Sequence, residues 1–222
     1  MGDWQILMDL VGVSAAEGQA CCREACAFGH CIFNYSGIVA RNDDRLRRQL
    51  ALPDPQAPAC SNLEARVRRA LRSDGVEVGA AVMLYSAPGC QEQAMHTDYD
   101  TRQMAIEAAE GVPTPYAVLV AVMDGTSLVL KAGPVAVPTG SALRFAGDVV
   151  HAGAAYTRGH ARLHFYAKTS KGLDAAGRTF LVGDEADEAD EADEAAAAAY
   201  VGRKRSSRRA RWNTFKCRRD RG

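Results

Sequence analysis

Between residues 76 and 168 the sequence never runs far without a turn signal. Ser86-Ala87-Pro88-Gly89, Asp124-Gly125, Pro138-Thr139-Gly140, Gly147-Asp148 and Arg158-Gly159 cut it into short apolar segments. Most of these segments are too short for a helix, whose first turn is costly to nucleate and needs further turns to offset that cost. They suit strands, and their alternation agrees: in residues 76–85, Met83 and Tyr85 fall on one face, Val82 and Leu84 on the other. Residues 116–123 and 127–131 flank Asp124-Gly125, a pair whose backbone preference predicts a hairpin. Residues 135–137, 141–145, 151–157 and 160–168 continue the run, giving about eight strands, the number a jelly roll uses. The expected fold class is mainly β with flanking helices.

Helical signals frame this run. Residues 14–28 are rich in small side chains and read as a helix ending near Gly29. Residues 41–60, charged and then interrupted by Pro53, Pro55 and Pro58, read as an exposed connection. Ser61 and Glu64 have capping-box spacing, which predicts a helix starting at Ser61. Leu63, Val67, Ala70 and Leu71 then form the stripe that packs on the sheet. Arg66, Arg68, Arg69 and Arg72 lie elsewhere on that helix and read as a solvated face; the alternative, a nucleic-acid contact, lacks interleaved aromatic side chains. Residues 101–110 look helical and close at Gly111, as either a lid or a packing helix. The expected division is an N-terminal helical or irregular extension (1–60), a jelly-roll domain with its leading support helix (61–182), and a linker and tail (183–222).

At 222 residues and 47% hydrophobic, the chain can bury one domain and carry appendages. Its formal net charge of +0 averages an acidic-alanine repeat at 184–194 with a basic stretch at 203–221. A repeat of three with few large apolar side chains matches neither helix nor strand period, so a disordered or transiently helical linker is expected there. Trp212 and Phe215 lie among the basic residues, so the tail reads as a nuclear-localisation or nucleic-acid-contact patch, or as a tail folding back on the acidic run. The seven cysteines are odd in number and irregular in spacing, which points to a reducing compartment. Cys22, Cys26, His30 and Cys31 match no common zinc spacing and read as buried or spare thiols. The apolar patch at 4–13 is interrupted by Asp9 and makes a poor signal peptide, and no stretch reaches membrane-span length. A soluble intracellular protein, nuclear or cytoplasmic, is the expectation.

The chemistry concentrates at His96-Thr97-Asp98. In a strand over residues 94–100 the imidazole and the carboxylate share one face and Thr97 turns away. His151, just after Gly147-Asp148, is the candidate second histidine. Two histidines and a carboxylate on one side of a metal, with the other positions open, form the facial triad of non-haem Fe(II) oxygenases. On residues 160–168, alternation puts Arg162, His164 and Tyr166 on one face and Leu163 and Phe165 on the other. A guanidinium turned into a barrel needs an anion, either an internal Asp or Glu or a bound carboxylate.

By these residues, their order and their strand context, residues 76–170 resemble the 2-oxoglutarate and Fe(II)-dependent oxygenases. That superfamily is built on a double-stranded β-helix (jelly roll) and includes prolyl hydroxylases and phytanoyl-CoA hydroxylase-like enzymes. The resemblance implies that His96, Asp98 and His151 hold Fe(II) and that Arg162 receives the distal carboxylate of 2-oxoglutarate. It also implies that Tyr85 contacts 2-oxoglutarate, with a core tyrosine as the alternative, and that O2 is the second co-substrate in a C–H hydroxylation. His164 reads as a pocket-lining or core histidine rather than a fourth ligand.

The stretch from Tyr85 through Gly89 to His96-Thr97-Asp98-Tyr99 resembles the prolyl hydroxylases' approach to the metal, which favours a protein substrate, with a small molecule also open. A nucleic-acid demethylase of the same superfamily comes second, on the basic tail. Two rivals remain: a non-catalytic metal-binding jelly-roll module tethered by its tail, and a cupin-type enzyme using another metal without 2-oxoglutarate. Arg162 separates them, since only the oxygenase needs a cation there.

Overall fold

The computed structural model describes residues 4–31, 45–167 and 180–181. These belong to one compact unit, residues 1–182; the expectations for the acidic repeat and basic tail lie outside the described residues. In chain order the elements are β1 (Trp4–Leu7), α1 (Ala15–Phe28), β2 (His30–Cys31), β3 (Arg47–Leu52), α2 (Pro58–Ser73), β4 (Val78–Ser86), β5 (His96–Thr97), α3 (Thr101–Ala109), β6 (Tyr116–Ala121), β7 (Ser127–Leu130), β8 (Gly133–Ala136), β9 (Ala142–Ala146), β10 (His151–Gly153), β11 (His160–Ala167) and β12 (Phe180–Leu181). They form a larger sheet, β1-β9-β6-β11-β4-β3-β2, and a smaller one, β12-β5-β10-β7-β8. Among the described residues every strand pairing is antiparallel, and apolar side chains from both sheets meet between them, as a double-stranded β-helix requires. Among the described residues, no helix is long and apolar enough to cross a membrane.

The turn at Asp124-Gly125 does not make the expected hairpin. β6 pairs with β9 and β11 in the larger sheet, whereas β7 pairs with β10 and β8 in the smaller. Local turn chemistry bends the chain, but the partners of each strand decide which sheet it joins. Thr126 helps to hold the crossing, its hydroxyl donating to Met123 O at 2.8 Å and lying 2.9 Å from His160 Nε2. β7 instead forms its hairpin with β8, through Leu130 and Gly133.

Two layers of core result. The outer face of the larger sheet carries Met83, Val118, Val120, Leu163 and Phe165, covered by Cys21 and Ala25 of α1 and by Leu63, Val67 and Leu71 of α2. Between the sheets lie Leu119, Leu128, Leu130, Leu143 and Phe145. Each such side chain contributes about 1.5–3 kcal/mol when fully removed from water.

α1 begins as its sequence suggests, with Ser14 Oγ accepting from the Glu17 amide at 3.2 Å. α2 does not begin at Ser61. It starts at Pro58, whose missing amide hydrogen suits the first helical turn. The Ser61 hydroxyl turns back to donate to Asp54 O, and Glu64 pairs with Arg68. The first turn is capped from another helix: Glu24 of α1 accepts from the Ala59 and Cys60 amides at 3.0 and 2.9 Å, a carboxylate at the positive end of a helix.

Two of the arginines on α2 also depart from the solvated-face expectation. Arg66 pairs with Glu17, and Arg68 donates to Val78 O and Gly79 O at 2.9 Å each while lying over the Phe165 ring. Arg69 and Arg72 are exposed as expected. Part of the stretch read as an exposed connection is sheet: β3 pairs along β4 and buries Arg47, Leu50 and Leu52. Likewise β1 pairs along β9. The strand expected over residues 94–100 is limited to His96–Thr97.

Candidate metal centre

β10 runs against β5 in a register that makes His151 the direct cross-strand partner of His96. Their ring centroids are 4.6 Å apart. Each imidazole is fixed in the same way, Nδ1 meeting the carbonyl two residues earlier: His96 to Ala94 O at 2.7 Å, His151 to Val149 O at 2.9 Å. A carbonyl can only accept, so Nδ1 carries the hydrogen and Nε2 presents its lone pair. Asp98 follows His96 on the same face, its Oδ1 3.7 Å from His151 Nε2. One ligand atom from each of His96, Asp98 and His151 lies within 4.8 Å of the others, and all three side chains are buried. Among the described residues no other group of three His, Cys, Asp or Glu converges in this way, the Cys22, Cys26, His30 and Cys31 set included.

Burial, and then the neighbouring His151, pulls the His96 imidazole down to about 4. Burial acts to raise the Asp98 carboxyl, but His151, His164 and His96 outweigh it and hold the group well below the usual carboxylate range. At neutral pH the site therefore offers a bare imidazole nitrogen and an ionised carboxylate, the forms a metal requires. Among the described residues Asp98 Oδ2 is buried with only His164 Nε2 beside it, at 3.4 Å, so protein alone leaves most of the carboxylate's accepting capacity unused. A divalent cation held by two imidazoles and one carboxylate fits this donor set.

Thr97 turns the other way and donates its hydroxyl to Tyr99 O at 2.9 Å. The Tyr99 ring packs against Gly147, in the turn before His151. A Cβ at Gly147 would fall 2.4 Å from that ring, so a glycine there lets the two ligand-bearing segments close on one another.

Arg162 enters from the larger sheet. It sits on β11 opposite Leu84 of β4 and Ala121 of β6, on the face turned toward the smaller sheet, and is 4% exposed. Its Nη1 donates to Ser86 Oγ at 3.2 Å and its guanidinium lies 5.8 Å from the Tyr156 ring centroid. Among the described residues no carboxylate pairs with it. Gly153 faces it closely: a Cβ there would come within 3.0 Å of Arg162 Nη2 and 2.1 Å of Gln93 Oε1, which accepts from the Gly153 amide. His160 completes this end, stacked on Tyr156 at 4.0 Å, with burial, then Arg162 and Arg158, pulling it down to about 4.

Tyr85 is not brought to this site. Its cross-strand partner is Ala161, not Arg162, and it lies on the helix-covered face with Met83 and Leu163. Burial, with a hydrogen bond to Cys26, pushes its hydroxyl up to about 12, so it is a core tyrosine beneath α1. Ser86, one residue later and therefore on the other face, holds the position expected of Tyr85.

Three residues near Arg162 were not singled out from the sequence: Ser86, Gln93 and Arg47. Arg47 is 1% exposed; its Nη1 donates to the same Ser86 Oγ at 3.2 Å and its Nη2 to Ala154 O at 3.2 Å. The usable signal for β3 was Leu50 and Leu52 at strand spacing, which the nearby prolines obscured.

No family model and no curated protein sequence matches the chain. Solved structures do. A prolyl-4-hydroxylase from Pseudomonas putida is 14% identical, with a TM-score of 0.50 over 77% of this chain and 95% of that one. A prolyl hydroxylase from Trichoplax adhaerens, in complex with a hypoxia inducible factor peptide fragment, is 9% identical, with a TM-score of 0.53 over 80% of this chain and 89% of that one. At these identities the likeness shows a shared fold.

Proposed function

We propose that this chain is an Fe(II)- and 2-oxoglutarate-dependent oxygenase that hydroxylates a C–H bond, with a peptide or protein as the favoured substrate. One observation carries the reading. A buried guanidinium without a carboxylate partner among the described residues faces the same inter-sheet space as the converging His96, Asp98 and His151. An unpaired buried cation costs several kcal/mol, and the distal carboxylate of 2-oxoglutarate supplies the missing charge.

His96, Asp98 and His151 hold the metal from one side and leave its other positions open. The Arg162 fork receives the carboxylate in charge-assisted hydrogen bonds, and Ser86, which accepts from two arginines, has its own hydroxyl hydrogen to donate to the same group. All four charged or ligating side chains are buried, so a bound co-substrate between them meets them away from bulk water. Iron, when bound, supplies the O2 chemistry that oxidises the co-substrate to succinate and CO2.

The preference for a peptide is supported by the Trichoplax prolyl hydroxylase, whose structure holds one. α3 follows the Asp98 segment directly and exposes Ile106, an apolar side chain beside the metal-ligand segment in the sequence that a peptide can meet. The test is anaerobic titration with Fe(II) and then 2-oxoglutarate. Appearance of the visible charge-transfer band of the chelate supports the reading; metal binding without it moves the weight to a cupin-type or non-catalytic centre. Succinate release stimulated by proline-containing peptides, with gain of one oxygen by the peptide, identifies the substrate class.

A further inference from the structure

Asp98 has two carboxylate oxygens, and the converging ligand set needs one. Oδ1 faces His151 Nε2 at 3.7 Å, while Oδ2 is 3.4 Å from Nε2 of His164, which comes from the opposite sheet. His164 is in the middle of β11, paired with Val82 on one side and Leu119 on the other, so its backbone is fixed by two ladders. Its ring is 5% exposed and lies edge-on to Tyr166 at 4.7 Å and 6.3 Å from the Phe145 ring. Among the described residues His164 Nε2 is the one protein group beside Asp98 Oδ2, and His164 Nδ1 has no hydrogen-bond partner. His164 is not one of the three side chains that converge.

We infer that His164 is a positioning residue for the metal ligand Asp98: its Nε2–H holds the outer carboxylate oxygen, so that Asp98 meets the ion through Oδ1 alone. The inference rests on the metal reading given above. An unrestrained carboxylate can rock until both oxygens bind, which fills a second position on the ion. Anchoring Oδ2 keeps that position for the co-substrate. With the hydrogen on Nε2, the leftover Nδ1 is a bare acceptor, a less costly group to bury than an orphaned N–H.

The experiment compares the full-length chain with His164→Leu, His164→Gln and His164→Asn, loaded anaerobically with Co(II). Affinity is measured by calorimetry and coordination by the visible ligand-field bands, whose intensity falls as coordination number rises. Gln places an amide N–H near the Nε2 position, whereas Leu keeps much of the volume without a donor. The expected result is an affinity loss of about tenfold or more with weaker bands for Leu, and Gln within about threefold of the parent with parental bands. Leu equal to the parent, or Leu and Gln equally impaired, overturns the assignment. Should Leu fail to fold, Gln against the shorter Asn decides in the same way. No Co(II) binding by the parent chain overturns the metal reading itself, and this inference with it.

Discussion

The two faces of β11 are buried almost equally and are opposite in chemistry. Leu163 and Phe165 are 0% exposed and press on the helices, while Arg162 and His164, 4% and 5% exposed, look into the space between the sheets. On the first face, burial is itself the source of stability. On the second, each side chain loses water and regains only part of what it loses: one serine hydroxyl for Arg162, one carboxylate oxygen for His164. A strand that accepts that loss on one face is held by the other. The difference teaches where each kind of substitution will act, on the fold or on the site.

The largest effect should come from the ligands. His96→Ala, Asp98→Ala and His151→Ala are each expected to abolish tight Fe(II) binding with the fold intact, because β5 and β10 are placed by their neighbours and not by these rings. Calorimetry with Fe(II), beside circular dichroism, checks it. Tight binding by any of the three breaks the comparison.

Leu163→Ala should do the reverse, lowering stability by about 2–5 kcal/mol through transfer and cavity terms while the remaining folded chain binds metal normally. Acid should act on the polar face alone. His96 and His160 titrate near 4 when folded and near 6.5 when unfolded, so the unfolded chain binds more protons between those values. Stability of the metal-free chain is therefore full above pH 6.5 and falls as pH drops toward 4, by roughly 3 kcal/mol per histidine. Denaturant midpoints across that window measure it; a flat profile would mean that the two imidazoles are not kept neutral by burial.

Local sequence carried the polar face well and the pairing poorly. Period-two alternation assigned Arg162, His164 and Tyr166 to one face, and the His-x-Asp spacing put His96 and Asp98 together, because both depend only on backbone geometry over a few residues. The sheet joined by each strand was not legible. Asp124-Gly125 specifies a turn but not whether the strand leaving it returns to the same sheet. The same gap left Tyr85 open between a co-substrate contact and a core tyrosine: alternation separated Tyr85 from Leu84, but which of those faces Arg162 shares depends on the β4–β11 register. α2's start was misread because its cap comes from Glu24, on another helix.

Arg162→Ala should leave metal binding alone and raise the 2-oxoglutarate concentration needed for half-maximal succinate formation by about tenfold or more, corresponding to loss of about 1.5–3 kcal/mol for a charge-assisted contact. Its stability should hold or rise, since a buried charge without an acidic partner is removed. Arg162→Lys should recover part of the affinity, because an ammonium cannot reproduce a planar fork. If Arg162→Ala instead destabilises the fold as Leu163→Ala does, the inner face is structural and the contrast between the two faces fails.

The smallest expected effect tests the other side of the same strand pair. Tyr85 stands opposite Ala161 on the helix-covered face, its hydroxyl directed to Cys26 of α1, so it cannot reach a ligand held by Arg162 on the far side of the sheet. Tyr85→Phe keeps the ring and its packing and removes one hydroxyl. It should therefore leave the 2-oxoglutarate dependence of succinate formation unchanged and lower stability by only about 1 kcal/mol, the net value of a hydrogen bond. Ser86→Ala, one residue along and on the inner face, removes a hydroxyl of the same kind, and should weaken 2-oxoglutarate severalfold with a similar change in stability. Paired saturation curves for the two variants decide it. Equal shifts would mean that the register of β4 on β11 does not separate the two side chains as described; a shift in Ser86→Ala alone ties co-substrate recognition to the inner face.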